Sequence, residues 1–153
     1  MNDQAKRELT EVIEGPKISK ENATAIFNKL VKYYDVDPED FGSRKDLKSS
    51  FEYVSTRLIR AIKNGDLEIK DENGTPIVYQ HLRKPPAELK GSTIKYKELD
   101  GNCRAAMKDT DNDNMRNQML IAALIGEDVS IILNFKSKDL SIAEYLASFF
   151  MTV

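Results

Sequence analysis

Apolar positions along this chain follow two different periods. Ala23, Ile26, Phe27, Leu30, Val31 and Tyr34 recur at spacings of three and four, which on an α-helix gathers them into one wide stripe. Ser19 stands where an N-cap belongs, so a helix is predicted to run from there to Tyr34. Pro38 pushes Asp37 out of helical geometry, and residues 35–42 are predicted to form a loop. Leu47, Phe51, Val54, Leu58, Ala61 and Ile62 line one side of a second predicted helix over residues 44–64, with Gly65 as its natural end. A weaker stripe of Leu9, Val12 and Ile13 predicts a short helix over residues 2–14, stopped by Gly15-Pro16.

After Gly65 the period shortens to two. Leu67 and Ile69 alternate with charged residues, Asn73-Gly74 is a hairpin-turn pair, and residues 76–82 supply β-branched and aromatic side chains for a return strand. A hairpin is predicted over residues 66–82, then an irregular crossing at 83–91 containing Pro85-Pro86, then a short candidate strand at 93–96. Residues 98–107 read as helical, 109–114 as a polar break and 115–125 as an apolar helix ended by Gly126. Residues 128–135 fit a helix and a strand equally well. A last helix over 139–151 buries Leu140, Ala143, Leu146, Phe149 and Phe150. The expected fold is mainly α with a small β-hairpin (α+β), in one domain over residues 1–153. Its helical front is 1–65, its hairpin 66–82 and its helical back 93–153.

Composition narrows the class. A hydrophobic fraction of 41% is enough for a folded core, and a net charge of -2 gives no field of one sign to draw in nucleic acid or an anionic membrane. Cys103 is the single cysteine, which removes intrachain disulfides and CxxC metal patterns and fits a reducing compartment. The first residues are charged and lack an apolar run, so no signal peptide is expected. The apolar run at 119–125 is too short to span a bilayer, and a cytoplasmic location is expected.

Reactive chemistry is hard to assemble from what remains. Asp109-Thr-Asp-Asn-Asp113 alternates oxygen ligands as a calcium loop does, but Asn114 stands where the glycine belongs and Leu120 where the bidentate Glu belongs. A solvated, helix-capping turn is the simpler reading. His81 is the sole histidine, so any imidazole-driven nucleophile would have to pass through it, and no GxSxG turn accompanies it. Cys103 reads as a small packing group. Phosphate-cradling glycine patterns are absent. The chain is therefore expected to be no enzyme and to hold no metal or cofactor.

Two binding surfaces offer themselves. Arg44, Lys48, Arg57, Arg60 and Lys63 make the second long helix basic, and Arg83, Lys84, Lys90, Lys95 and Lys97 follow in the crossing segment. Side by side, they would contact phosphates, as in a nucleic-acid-binding regulator. Asp46 and Glu52 interrupt the helix, and no aromatic-basic stacking pattern shows in the sequence. The stronger signal is apolar. Ile131, Ile132, Leu133 and Phe135, with Phe149, Phe150 and Met151, crowd large side chains into a short stretch that one helix stripe cannot hold. Such clusters either complete the core or mark protein contacts, to a client or to a second copy of the chain.

In the second half, Leu82 and Pro85 are followed by Gly91 with Ile94, Leu99 with Arg104, Leu124-Ile-Gly126, then Leu133, Asp139 and Phe149. With these landmarks the run from Tyr79 to Phe150, about half the chain, resembles the Mu-like tail assembly chaperones of long-tailed phages and prophages. Those proteins carry a Leu-x-x-Pro segment, a glycine-led strand, a Leu-Arg helix, a Leu-x-Gly turn and a last helix opened by aspartate. The first 65 residues add helices that this pattern lacks. The resemblance implies a non-catalytic protein of the bacterial host cytoplasm that coats the long helical tape-measure protein during tail assembly. The apolar residues 131–135 and 149–151 would be its contact surface, through helix-in-groove packing.

Overall fold

Ser19 caps the first helix of the structure: its Oγ accepts the backbone N–H of Asn22 at 3.1 Å, and α1 runs Lys20–Tyr33. The structure, a computed structural model, describes residues 15–37, 45–105 and 113–151. The helix expected over 2–14 and most of the polar run 109–114 lie outside those residues. Ser19→Ala removes the acceptor for an orphan helix N–H and is expected to cost about 1 kcal/mol, read as a lower urea midpoint.

Helix α2 spans Lys45–Asn64 and ends at Gly65, whose φ of 81° suits a residue without Cβ. A Cβ there would stand 2.3 Å from the Gly15 carbonyl oxygen. That close approach straps the chain before α1 along the end of α2, through Gly15 N–H to Gly65 O and Ile18 N–H to Lys63 O, both 3.1 Å.

Strands β1 (Leu67–Glu72) and β2 (Thr75–His81) pair antiparallel across Asn73-Gly74, both at positive φ as a two-residue primed turn requires. The candidate strand at 93–96 forms: β3, Thr93–Tyr96, adds antiparallel to β2, so the hairpin grows into a three-stranded sheet of order β1-β2-β3. The register puts Leu67, Ile69, Val78, Gln80, Ile94 and Tyr96 on the face that joins the core. Glu68, Lys70, Glu72, Tyr79, His81, Thr93 and Lys95 share the other face.

The back half is helical. Helix α3, Gly101–Ala105, starts three residues later than expected, and α4 runs Asp113–Ile125 to Gly126 at φ 72°. Residues 128–135 resolve as helix and turn, because the Asp128 carboxylate caps α5 (Val129–Ile132) by accepting the Ser130 N–H at 2.9 Å. Helix α6 spans Ser137–Phe150, starting before Asp139. It packs on α2 and α4, while α1 packs on α2 and α4 on β3, and one buried cluster runs through all of them. The fold is mixed α+β, helices around a small antiparallel sheet. No helix among the described residues is long and apolar enough to cross a membrane.

A buried polar network ties the sheet to α6. Tyr96 donates its hydroxyl to Gln80 Oε1 at 2.6 Å, and Gln80 Nε2 donates to the Asp139 carbonyl at 2.9 Å. Burial pushes the Tyr96 phenol well above its ordinary pKa, so it stays a donor. The Asp139 carboxylate accepts the backbone N–H groups of Arg83 at 3.0 Å and Lys84 at 2.9 Å. Asp139 is only 2% exposed. It clamps the crossing segment onto the start of α6.

Candidate functional site

The C-terminal apolar residues do not form a surface. Ile132, Phe135, Phe149 and Phe150 are buried and Ile131 is half-buried, while Leu133 (58% exposed) and Met151 (40%) are exposed. The Phe149 ring lies 5.7 Å from that of Phe27, and Phe150 lies 5.5 Å from Tyr34. The expectation that Ile132, Phe135, Phe149 and Phe150 contact a partner is therefore corrected: they are core. Helix α6 needs apolar groups on several sides because α2 and α4 flank it and the rings of α1 meet its end. A sequence shows the surplus beyond one stripe but not the neighbours that absorb it.

The basic residues divide as well. Arg44 and the Lys48 side chain lie outside the described structure, and Lys63 is exposed at the end of α2. In the crossing segment Arg83 is engaged with Asp66 at 2.8 and 3.0 Å, and on β3 Lys95 pairs with Glu72 at 3.0 Å. These two cations are paired within the fold, while Lys84, Lys90 and Lys97 stay exposed.

Arg57 and Arg60 instead face a cleft. The C-terminal half of α2 and the N-terminal half of α6 run beside each other and leave a recess of about 310 Å³. Ala61 and Ile142, both buried, give it apolar walls, and Tyr145 stands at its edge. Arg57 and Arg60 contribute from α2 and Lys138 from α6, with Asn64, Ser137 and Ser141 between them. Asp66 also borders the recess, but Arg83 already neutralises it. No carboxylate among the described residues pairs with Arg57, Arg60 or Lys138.

An aromatic pair flanks this cleft. Tyr53, 51% exposed, sets its ring 5.8 Å from that of Tyr145 with the two hydroxyls 3.4 Å apart, and the Arg57 guanidinium sits 4.7 Å over the Tyr53 ring. The hydrogen bond with Tyr145, aided by Arg57, draws the Tyr53 phenol below its ordinary pKa. A basic-aromatic cluster thus exists, although no such pattern shows in the sequence. Tyr145 lies far from Tyr53 along the chain, and only the α2–α6 contact joins them. Arg57 and Arg60 were legible as part of the basic helix. Lys138, Ser141 and Tyr145 were missed, because nothing local says which side of α6 meets α2.

His81 is the remaining candidate. It is 8% exposed, with Nδ1 2.9 Å from Thr93 Oγ1 and Nε2 3.1 Å from Glu68 Oε1. Hydroxyl, imidazole and carboxylate in line resemble a nucleophile-activating array. The register explains them more simply. His81 and Thr93 are direct cross-strand partners, and Glu68 sits diagonally opposite on the same face. Gly15 packs directly on the imidazole, so close that a Cβ there would meet Cδ2 at 2.7 Å. The ring does not line the α2–α6 cleft. It reads as a latch across three strands.

No protein-family model, curated protein or solved structure matches the chain.

Proposed function

We propose that this chain is a non-catalytic assembly factor of the tail-assembly-chaperone kind, which holds a helical client such as a tape-measure protein. The observation that carries this reading is the Asp139 clamp. The Leu-x-x-Pro segment and the aspartate of the last helix, two landmarks of the family pattern, are joined here by two hydrogen bonds, at 3.0 and 2.9 Å. Other landmarks meet too: the Lys97 N–H, just after the glycine-led strand, donates to the Leu124 carbonyl of the Leu-x-Gly turn at 2.9 Å. Landmarks that pack as one unit are what a shared module requires. The working surface passes from the buried phenylalanines to the α2–α6 cleft, a recess of about 310 Å³ that takes side chains projecting from the client.

Co-expression with a tape-measure protein from the same genome tests this. The long helical client is expected to stay soluble and to elute with the chain. A client that precipitates while the chain elutes alone would sink the reading.

One observation favours a second reading, a nucleic-acid-binding regulator: the Tyr53–Arg57 stack beside Arg60 resembles single-strand stacking platforms. Retention on single-stranded DNA with a steep salt slope would mark it.

A further inference from the structure

We infer that the α2–α6 cleft takes an acidic segment of a partner protein, one apolar side chain seated between carboxylates about a helical turn away on each side. This rests on the protein-binding reading above and adds the chemistry of the occupant.

Charge comes first. Arg57 and Arg60 stand one turn apart on α2, and Lys138 enters from α6. None is paired with a carboxylate among the described residues, and the one acid at the border, Asp66, is held by Arg83. The whole chain is slightly acidic, so three cations around one recess with no carboxylate partner among the described residues are a local departure from its balance. They favour anions, and guanidinium groups grip carboxylates through paired hydrogen bonds.

Shape and apolarity then choose among anions. At about 310 Å³ the recess is at the small end of ligand sites, which run roughly 300–1,000 Å³, so it holds a side chain and its neighbours rather than a whole helix. Its walls include Ala61, Ile142 and the Tyr145 ring, which a bare phosphate would leave unused. A nucleic acid would need cations in a row along its backbone, but the exposed Lys84, Lys90 and Lys97 do not line this cleft, and Arg83 and Lys95 are paired with acids. Stacking a base on Tyr53 would also displace Arg57 from one ring face, with Tyr145 already meeting the ring at 73°. An apolar residue flanked by carboxylates satisfies both the walls and the rim.

The probe is a fluorescein-labelled peptide carrying one leucine flanked by glutamates on both sides, titrated with the full chain and read by anisotropy. Single-stranded oligo-dT of equal length serves as the rival. Arg60→Glu with Lys138→Glu should weaken peptide binding at least about tenfold, since reversed charges repel the ligand they held. Both side chains are exposed, so the double variant should keep its circular dichroism melt. Leucine→serine in the peptide should weaken binding as well. Peptide affinity that is absent, or unchanged in the double variant, overturns the inference, and so does tighter binding of oligo-dT. If the double variant still co-purifies with the tape-measure client, the acidic occupant falls and the assembly-factor reading stands. If the peptide binds as described while the wild-type chain captures no client, the occupant stands and the assembly-factor reading falls.

Discussion

Phe149→Asp is expected to leave no folded protein, with the far-UV helical signal and the cooperative melt both lost. The ring is fully buried and sits among Phe27, Tyr34 and Phe150 at centroid distances of 5.7, 6.5 and 5.5 Å. Removing a buried phenylalanine costs roughly 3–5 kcal/mol through lost transfer energy and the cavity left behind. A carboxylate in its place must also be desolvated or take up a proton, and either adds several kcal/mol. Total stability for a domain is about 5–15 kcal/mol, so the combined penalty is comparable to all of it. Leu133→Asp is the contrast. Its side chain is 58% exposed, and the change should stay within about 0.5 kcal/mol. A Phe149→Asp protein that melts like the wild type but no longer binds its partner would return that ring to the surface, against the structure.

The contrast marks where the sequence stops being informative. Local signals were read well wherever a few neighbouring residues decide the outcome. Ser19 and Gly65 bound the helices as expected, and Asn73-Gly74 turned the hairpin because two positive φ angles were needed in succession. The period-two alternation of Leu67 and Ile69 fixed the inner face of β1. Residues 128–135 stayed ambiguous because a four-residue helix is too short to show a period, and the Asp128 cap decided it. The C-terminal apolar excess was real, but its meaning depended on α1, which lies more than a hundred residues earlier in the chain. The cleft was half legible. Arg57 and Arg60 announce a basic face on α2, whereas Lys138 and Tyr145 join it only once α6 docks. Asp139 reads locally as a helix opener, yet its carboxylate is taken by N–H groups 55 and 56 residues away.

Asp139→Ala follows from that last point and is expected to lower stability by about 3 kcal/mol. The carboxylate accepts two backbone N–H groups, and hydrogen bonds to a charged acceptor contribute roughly 1.5–3 kcal/mol each. Water reaches Arg83 and Lys84 from the outside, both being exposed, so part of the loss is recovered and the lower end of the sum applies. Asp139→Asn keeps one acceptor oxygen and should lose about half as much. Gln80 bonds the Asp139 carbonyl rather than its side chain, so the Tyr96–Gln80 link should survive both changes. Urea midpoints at constant m-value would show the order wild type, Asn, Ala. An Ala variant within about 0.5 kcal/mol of wild type would mean that the clamp is not holding the crossing segment against α6. The neighbouring Lys138 gives the same change a functional reading. A loosened start to α6 moves one wall of the cleft, so partner affinity should fall together with stability in this variant, whereas charge reversal at Arg60 and Lys138 lowers affinity alone.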